Sequence, residues 1–210
     1  MRRPSLISIA GLVLLVACNG TRKPSSENFT KAIDQYLTMH GETCTSIGRQ
    51  FPIDIPAAAQ QAQYGFGPKL IALQQAGLLS ETNTTAVIHG MLDPLRGTTP
   101  PQAVRRYQLT AEGQKYFRQV PGTFGQTGGL CYRQKTVDSV LKWGNPVTVN
   151  GYSQIEAIYT YKIANLAAWA ERLGIQQAFP DIGATVNAAS KLNQTVGLQF
   201  TNSRWQVSGS

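Results

Sequence analysis

The chain has 210 residues, with 19 Lys and Arg against 11 Asp and Glu, a formal net charge of +8 and a 42% hydrophobic composition. That length suits one ordinary domain or two small ones, each able to bury a core. There are two histidines, His40 and His89, with no Cys-x-x-Cys or His-x-x-x-His spacing, so no metal centre is signalled and no cofactor is expected. The basic excess suits plain solubility, and equally anionic lipid headgroups, glycan or phosphate-bearing polymers.

Met1-Arg2-Arg3 supplies a short basic start, and residues 6–16 form an apolar run interrupted by Ser8 and Gly11. A membrane-spanning helix needs about 20 apolar residues, a secretory signal only about 7 to 15. By length this run is a signal peptide. It ends in Leu15-Val16-Ala17-Cys18, which resembles the lipobox of bacterial lipoprotein precursors. The resemblance implies removal of residues 1–17, acylation of Cys18 with palmitate among its chains, and attachment to a membrane through that lipid. Asn19 stands where enteric lipoproteins retained in the inner membrane carry aspartate, which implies the outer membrane, facing the periplasm. Loss of Arg2 and Arg3 lowers the basic count from 19 to 17 against 11 acidic residues, a mature charge of +6. With Cys18 assigned to lipid, Cys44 and Cys131 remain in a compartment that oxidises thiols, so they are expected to pair.

Residues 18–28 are polar around Pro24-Ser25-Ser26 and read as a lipidated flexible tether. Phe29, Ile33, Tyr36 and Leu37 fall on one face of a helix closed by Gly41. Residues 51–56 alternate apolar and polar positions between prolines and suit an edge strand, with a short helix expected over 57–63. A helix over 68–77 follows, then a strand over 85–89, a loop over 92–101, a strand over 105–109 and a helix over 110–117. Leu70-x-x-Leu73-x-x-x-Gly77-Leu78-Leu79 and Tyr107-x-Leu109-Thr110-x-Glu112-Gly113 resemble the winged-helix family of transcription regulators. That resemblance implies a helix leading into a two-stranded wing.

From Gly128 the chain is rich in β-formers. Residues 130–143 read as a long strand broken by Gly144-Asn145-Pro146, and Asn150-Gly151 is a two-residue hairpin signal between 147–149 and a strand over 155–163. A short helix over 166–173 is centred on Trp169 and ended by Gly174 and Pro180. A last hairpin joins 195–200 to 204–207. The Cys131-Tyr132, Tyr159-x-Tyr161 and Trp169-Ala170 pairs resemble small bacterial envelope lipoproteins of undefined function, which implies no activity. The expected fold class is therefore α+β, a winged-helix-like module over 29–125 followed by a small antiparallel sheet module with one helix over 126–210.

Neither histidine stands in a nucleophilic-triad context, and phosphate-loop, dinucleotide and Gly-x-Ser-x-Gly motifs are absent. A carboxylate pair drawn from Asp54, Asp93, Glu112, Asp138, Glu156 and Asp181 would make a cell-wall hydrolase the alternative reading. A winged-helix DNA-binding protein is the second alternative, with Lys69, Gln74 and Gln75 on the helix and Arg96, Arg105 and Arg106 as an anion clamp. The signal peptide removes the chain from the chromosome, so nucleic acid is not the partner expected. The leading expectation is a non-catalytic binding or scaffolding module for an envelope protein or an anionic envelope polymer.

Overall fold

A computed structural model describes residues 20, 22–56, 59, 65–88, 100–123 and 125–209. Cys18, His89, Asp93, Arg96 and most of the helix expected over 57–63 lie outside the described residues.

Helix α1 (Ser26–His40) starts inside the segment expected to be a tether. Ser25 is extended at φ −154° and its hydroxyl accepts from the Asn28 amide at 3.2 Å, satisfying one of the orphan donors of a first helical turn. Phe29, Ala32, Ile33 and Leu37 form its buried face. Strand β1 (Glu42–Ser46) follows at once and pairs with β6 (Gly125–Trp143), a strand of 19 residues. Strand β5 (Phe117–Gly122) lies on the other side of the first half of β6, and β8 (Tyr152–Ala164) on its second half. Strand β7 (Val147–Val149) continues the β6 arm of the hairpin with β8, and β9 (Gln194–Thr201) and β10 (Arg204–Val207) complete a seven-stranded antiparallel sheet.

The register of β6 against β8 shifts between Val137 and Ser139 and again between Val140 and Lys142. Extra residues of this kind bend the bulged strand and increase its twist. The sheet accordingly curls: α1 packs on both β6 and β10, although β8 and β9 separate those strands in the sheet. Phe29 is fully buried in this curl, edge-on to Trp143 at 5.3 Å and to Trp205 at 5.2 Å. The Asp34 carboxylate accepts from the Val137 amide at 2.7 Å, at the first bulge.

A second sheet has the order β2-β4-β3, from β2 (Ile53–Pro56), β3 (Leu79–Ala86) and β4 (Gln102–Leu109). Pro56 ends the edge strand, where a missing ladder donor is tolerated. Helix α2 (Phe66–Gln75) precedes β3, and α3 (Ala111–Tyr116) follows β4, capped by the Thr110 hydroxyl accepting from Gly113 N at 3.0 Å.

The winged-helix expectation is corrected here. The local order of helix, strand, strand and helix is present, but the molecule is mostly β, and the apolar face of α2 does not join α1 in a helical core. Leu70, Leu73 and Leu78 pack instead in one cluster with Leu130, Tyr132, Trp169, Phe179 and Ile182 from beyond residue 125, while α1 belongs to the large sheet. The helix expected over 166–173 is also displaced: residues 166–172 are turn and irregular chain, and a helix begins only at Leu173. Gly174 lies inside α4 (Leu173–Ala178), and Pro180 opens α5 (Pro180–Ala188), where its fixed φ suits a first helical position. The Asn150-Gly151 turn is formed as expected, with both residues at positive φ, +50° and +80°. Among the described residues no helix is long and apolar enough to cross a membrane.

Cys44 and Cys131 face each other across the β1 and β6 ladder, with Cα atoms 3.8 Å apart, and are joined in a disulfide between residues 87 apart in sequence. The bond ties two strands of one sheet together. Reduction should lower the stability of the folded chain by about 2 to 5 kcal/mol, read as a fall in the urea midpoint on adding dithiothreitol. An unchanged midpoint would show that the ladder alone holds β1.

Gly113 packs so closely under the α2 to β3 turn that a Cβ there would stand 2.1 Å from the Leu78 carbonyl oxygen. Gly113→Ala should therefore unfold the α3 corner or shift it, visible as a lower thermal midpoint, whereas the exposed Gln114→Ala should not.

Candidate functional site

Among the described residues, several places on the surface combine charge, aromatic groups and open volume. The first is the end of the sheet carrying the β7 to β8 hairpin. Gly20 and residues 22–25 lie against this end. The Trp205 indole N–H donates to the Arg22 carbonyl at 3.3 Å, and the Arg22 guanidinium lies 5.7 Å from the Phe200 ring centre. The Asn28 side-chain amide donates to the carbonyls of Gly20 and Lys23 at 2.8 and 2.9 Å. A cavity of about 370 Å³ is lined by Arg22, Lys23 and Pro24 together with Pro146, Ser153, Phe200 and Trp205. Successive side chains of a strand alternate between faces. Val147 pairs with Gln154 and Val149 with Tyr152, so Val147, Val149 and Tyr152 share the hairpin face opposite Ser153 and the cavity. Their side chains are exposed, Val147 at 57%, Val149 at 40% and Tyr152 at 49%, whereas Trp143, 38% exposed, pairs with Ala157 and lies on the Ser153 face against Phe29.

The second place lies at the start of β6. A cleft of about 660 Å³ opens between residues 46–50 and the turn joining β5 to β6, lined by Ser46, Arg49, Gln50, Gln126 and Thr127 among others. The Arg49 guanidinium sits 5.0 Å from the Phe66 ring centre, and Gln50 and Gln119 exchange amide hydrogen bonds of 2.8 and 3.0 Å. The Thr127 hydroxyl is buried with no hydrogen-bond partner. This polar, cationic cleft suits a hydroxyl-rich or anionic ligand.

The third place surrounds the disulfide, where a hollow of about 180 Å³ is lined by Glu42, Lys115, Tyr116, Arg118, Cys131 and Arg133. Lys115 is held by Glu112 at 2.5 Å and Arg118 lies 4.0 Å from Glu42, so two of its three cations face carboxylates. Glu42, Cys44 and Cys131 form the one group of three metal-ligating side chains within 4.8 Å among the described residues. Both sulfurs are committed to each other, so that group offers a single carboxylate and does not suit a metal ion.

The anion clamp read from the sequence is distributed differently. Arg105 and Arg106 are neighbours on β4 and therefore point to opposite faces. Arg106 makes a two-pronged pair with Asp54, donating from Nε at 2.8 Å and Nη2 at 2.7 Å, and Arg105 stands 3.5 Å from Glu81. Arg96 lies outside the described residues, as does Cys18. Lys69 sits 5.3 Å from the Phe179 ring centre, on the core side of α2. His40 stacks on Tyr36 at 4.5 Å at the end of α1. Among the candidate carboxylates, Asp54 is held by Arg106, Glu112 by Lys115, and Asp138 accepts from the Thr160 hydroxyl at 3.4 Å. The sequence reading missed the Gly48 to Gln50 cleft, because its two walls are far apart in the chain. The apolar positions in a Val-x-Val-Asn-Gly-Tyr hairpin were its only legible signal for the first place.

Comparison with known protein families, curated proteins and solved structures finds no match for this chain.

The Asp54 to Arg106 pair generates a pH prediction. Arg106's hydrogen bond holds the Asp54 carboxyl below its ordinary range, outweighing the opposing effect of burial. A lowered carboxyl favours the folded state above the unfolded-state value of about 4 and loses that contribution as pH falls through the folded value. Asp54→Asn should destabilise the protein at pH 7 and flatten the acid limb of its stability curve. Equal acid sensitivity in both proteins would place the loss elsewhere.

Proposed function

We propose that the mature chain is a non-catalytic lipoprotein of the bacterial cell envelope, held by lipid on Cys18. It faces the periplasm from the outer membrane and binds an envelope protein or an anionic envelope polymer through the Arg49 cleft. The observation that carries this reading is the Cys44 to Cys131 disulfide, since such bonds persist in compartments that oxidise thiols. It agrees with the lipobox-like Leu15-Val16-Ala17-Cys18 sequence and its preceding apolar run. The cleft supports the binding half of the reading: an arginine backed by an aromatic ring and the side-chain amides of Gln50 and Gln126 line an open volume large enough for a sugar or peptide segment. Binding there would rest on hydrogen bonds and one charge, so salt should weaken it without abolishing it.

The mature protein should begin at Cys18 and carry a lipid-sized mass increment at its N-terminus when extracted from bacterial membranes, and Cys18→Ser should leave the precursor uncleaved. Intact-mass spectrometry decides; an unmodified chain starting elsewhere would end the lipoprotein reading. For the cleft, a partner captured from detergent-solubilised membranes by the wild-type protein should be lost on Arg49→Glu, with the melting curve unchanged.

A further inference from the structure

We infer that the β7 to β8 hairpin is a membrane-docking device, which inserts its tip among anionic lipid headgroups and holds the body of the protein flush with the bilayer. The inference rests on the lipid-anchored reading above and adds the surface that meets the lipid and the orientation that follows.

Chain length sets the geometry. Gly20 is fastened by the Asn28 amide and Arg22 by Trp205, both at the hairpin end of the sheet. Two residue steps separate Cys18 from Gly20, which limits their Cα distance to about 7 Å. The headgroup layer on each side of a bilayer is itself about 5 to 8 Å thick. A lipid on Cys18 therefore brings this end of the protein to the headgroups, with no slack to hold it away.

The chemistry of that end matches. Val147, Val149 and Tyr152 are exposed large apolar or aromatic side chains on one face of the hairpin, Trp143 stands partly exposed at the base of the other face, and exposed apolar groupings of this sort mark interaction surfaces. Tryptophan and tyrosine favour the boundary between headgroups and acyl chains, where one part of the ring is apolar and the other wet. Arg22 and Lys23 stand on the opposite flank of the hairpin, across the Pro146 and Ser153 cavity, and would meet anionic headgroups as the tip enters. The type of turn helps: with Asn150 and Gly151 both at positive φ, the strands close in two residues and the tip is narrow.

Orientation follows from β6. The hairpin lies beyond its last residue, Trp143, and the Arg49 cleft lies at its first, Gly125. Docking by the hairpin points the cleft away from the membrane.

The test uses the mature protein extracted from bacterial membranes, its N-terminal mass measured first, then reconstituted into phosphatidylethanolamine and phosphatidylglycerol vesicles containing acyl-brominated lipid. Trp143 fluorescence should be quenched. The variant Val147→Glu/Val149→Glu/Tyr152→Glu, all three positions being solvent-exposed, should melt as the wild type and lose quenching several-fold. Trp143→Phe should remove the quenched component, assigning it to that ring. Equal quenching in wild type and triple variant, or none in a chain whose mass shows the lipid, would overturn the docking face while leaving the anchor intact. A lipid-free mass would end the lipoprotein reading alone. The same chain added to preformed vesicles would then decide the face, with quenching lost in the triple variant supporting it and absence of quenching overturning it.

Discussion

The hydrogen-bond ladder of β6 is the constraint on which the rest of the molecule depends. This one strand pairs with β1 and β5 along its first half and with β8 along its second, so three separate stretches of chain take their register from it. Its two bulges against β8 turn a flat ribbon into a curl. Without that bend, α1 could lie on β6 or on β10 but not on both, and Phe29 would lose one of the two indoles that enclose it. The disulfide sits on the same strand, where it fixes the β1 edge at the point where the register of that ladder also shifts.

The two candidate surfaces are also arranged along β6. Its beginning, in the turn with β5, forms one wall of the polar cleft, and its end leads into the exposed hairpin. A strand is a stiff connector, so two surfaces at its opposite ends keep a fixed relation to one another. A lipid-anchored protein with this plan presents one end to the bilayer and the other to the space beyond it.

The charged groups divide by role. On the three-stranded sheet, Arg105 and Arg106 have carboxylate partners, and such pairs favour a fixed local structure over recognition of an incoming anion. Arg22 and Arg49 lie against aromatic rings instead, at 5.7 and 5.0 Å, an arrangement that positions a guanidinium without neutralising it. Among the described residues, Arg22 at the hairpin end and Arg49 at the cleft thus keep a charge that Arg105 and Arg106 share with carboxylates.

Much of the local structure was legible in the sequence. The α1 stripe, the Asn150-Gly151 turn, the last hairpin, the edge character of residues 53–56 and the pairing of Cys44 with Cys131 all follow from rules acting over a few residues or from a count of thiols. The sequence also carried the Leu15 to Cys18 pattern, with which the proposed envelope reading agrees. Strands β1 and β5 were not legible, because Thr43-Cys44-Thr45 and Arg118-Gln119-Val120 become strands by pairing with β6, more than seventy residues away from β1 in the chain. The winged-helix pattern misled for a related reason: Gly77, Thr110 and Gly113 build a turn and a cap wherever a helix meets a hairpin, and they do not specify what the helix packs on. The sequence by itself determined α1, the hairpin turns and the thiol pair. Which apolar faces meet, how the sheet bends, and which arginines keep a free face were decided only by tertiary structure, because burial and strand pairing join residues whose separation in sequence leaves no periodic trace.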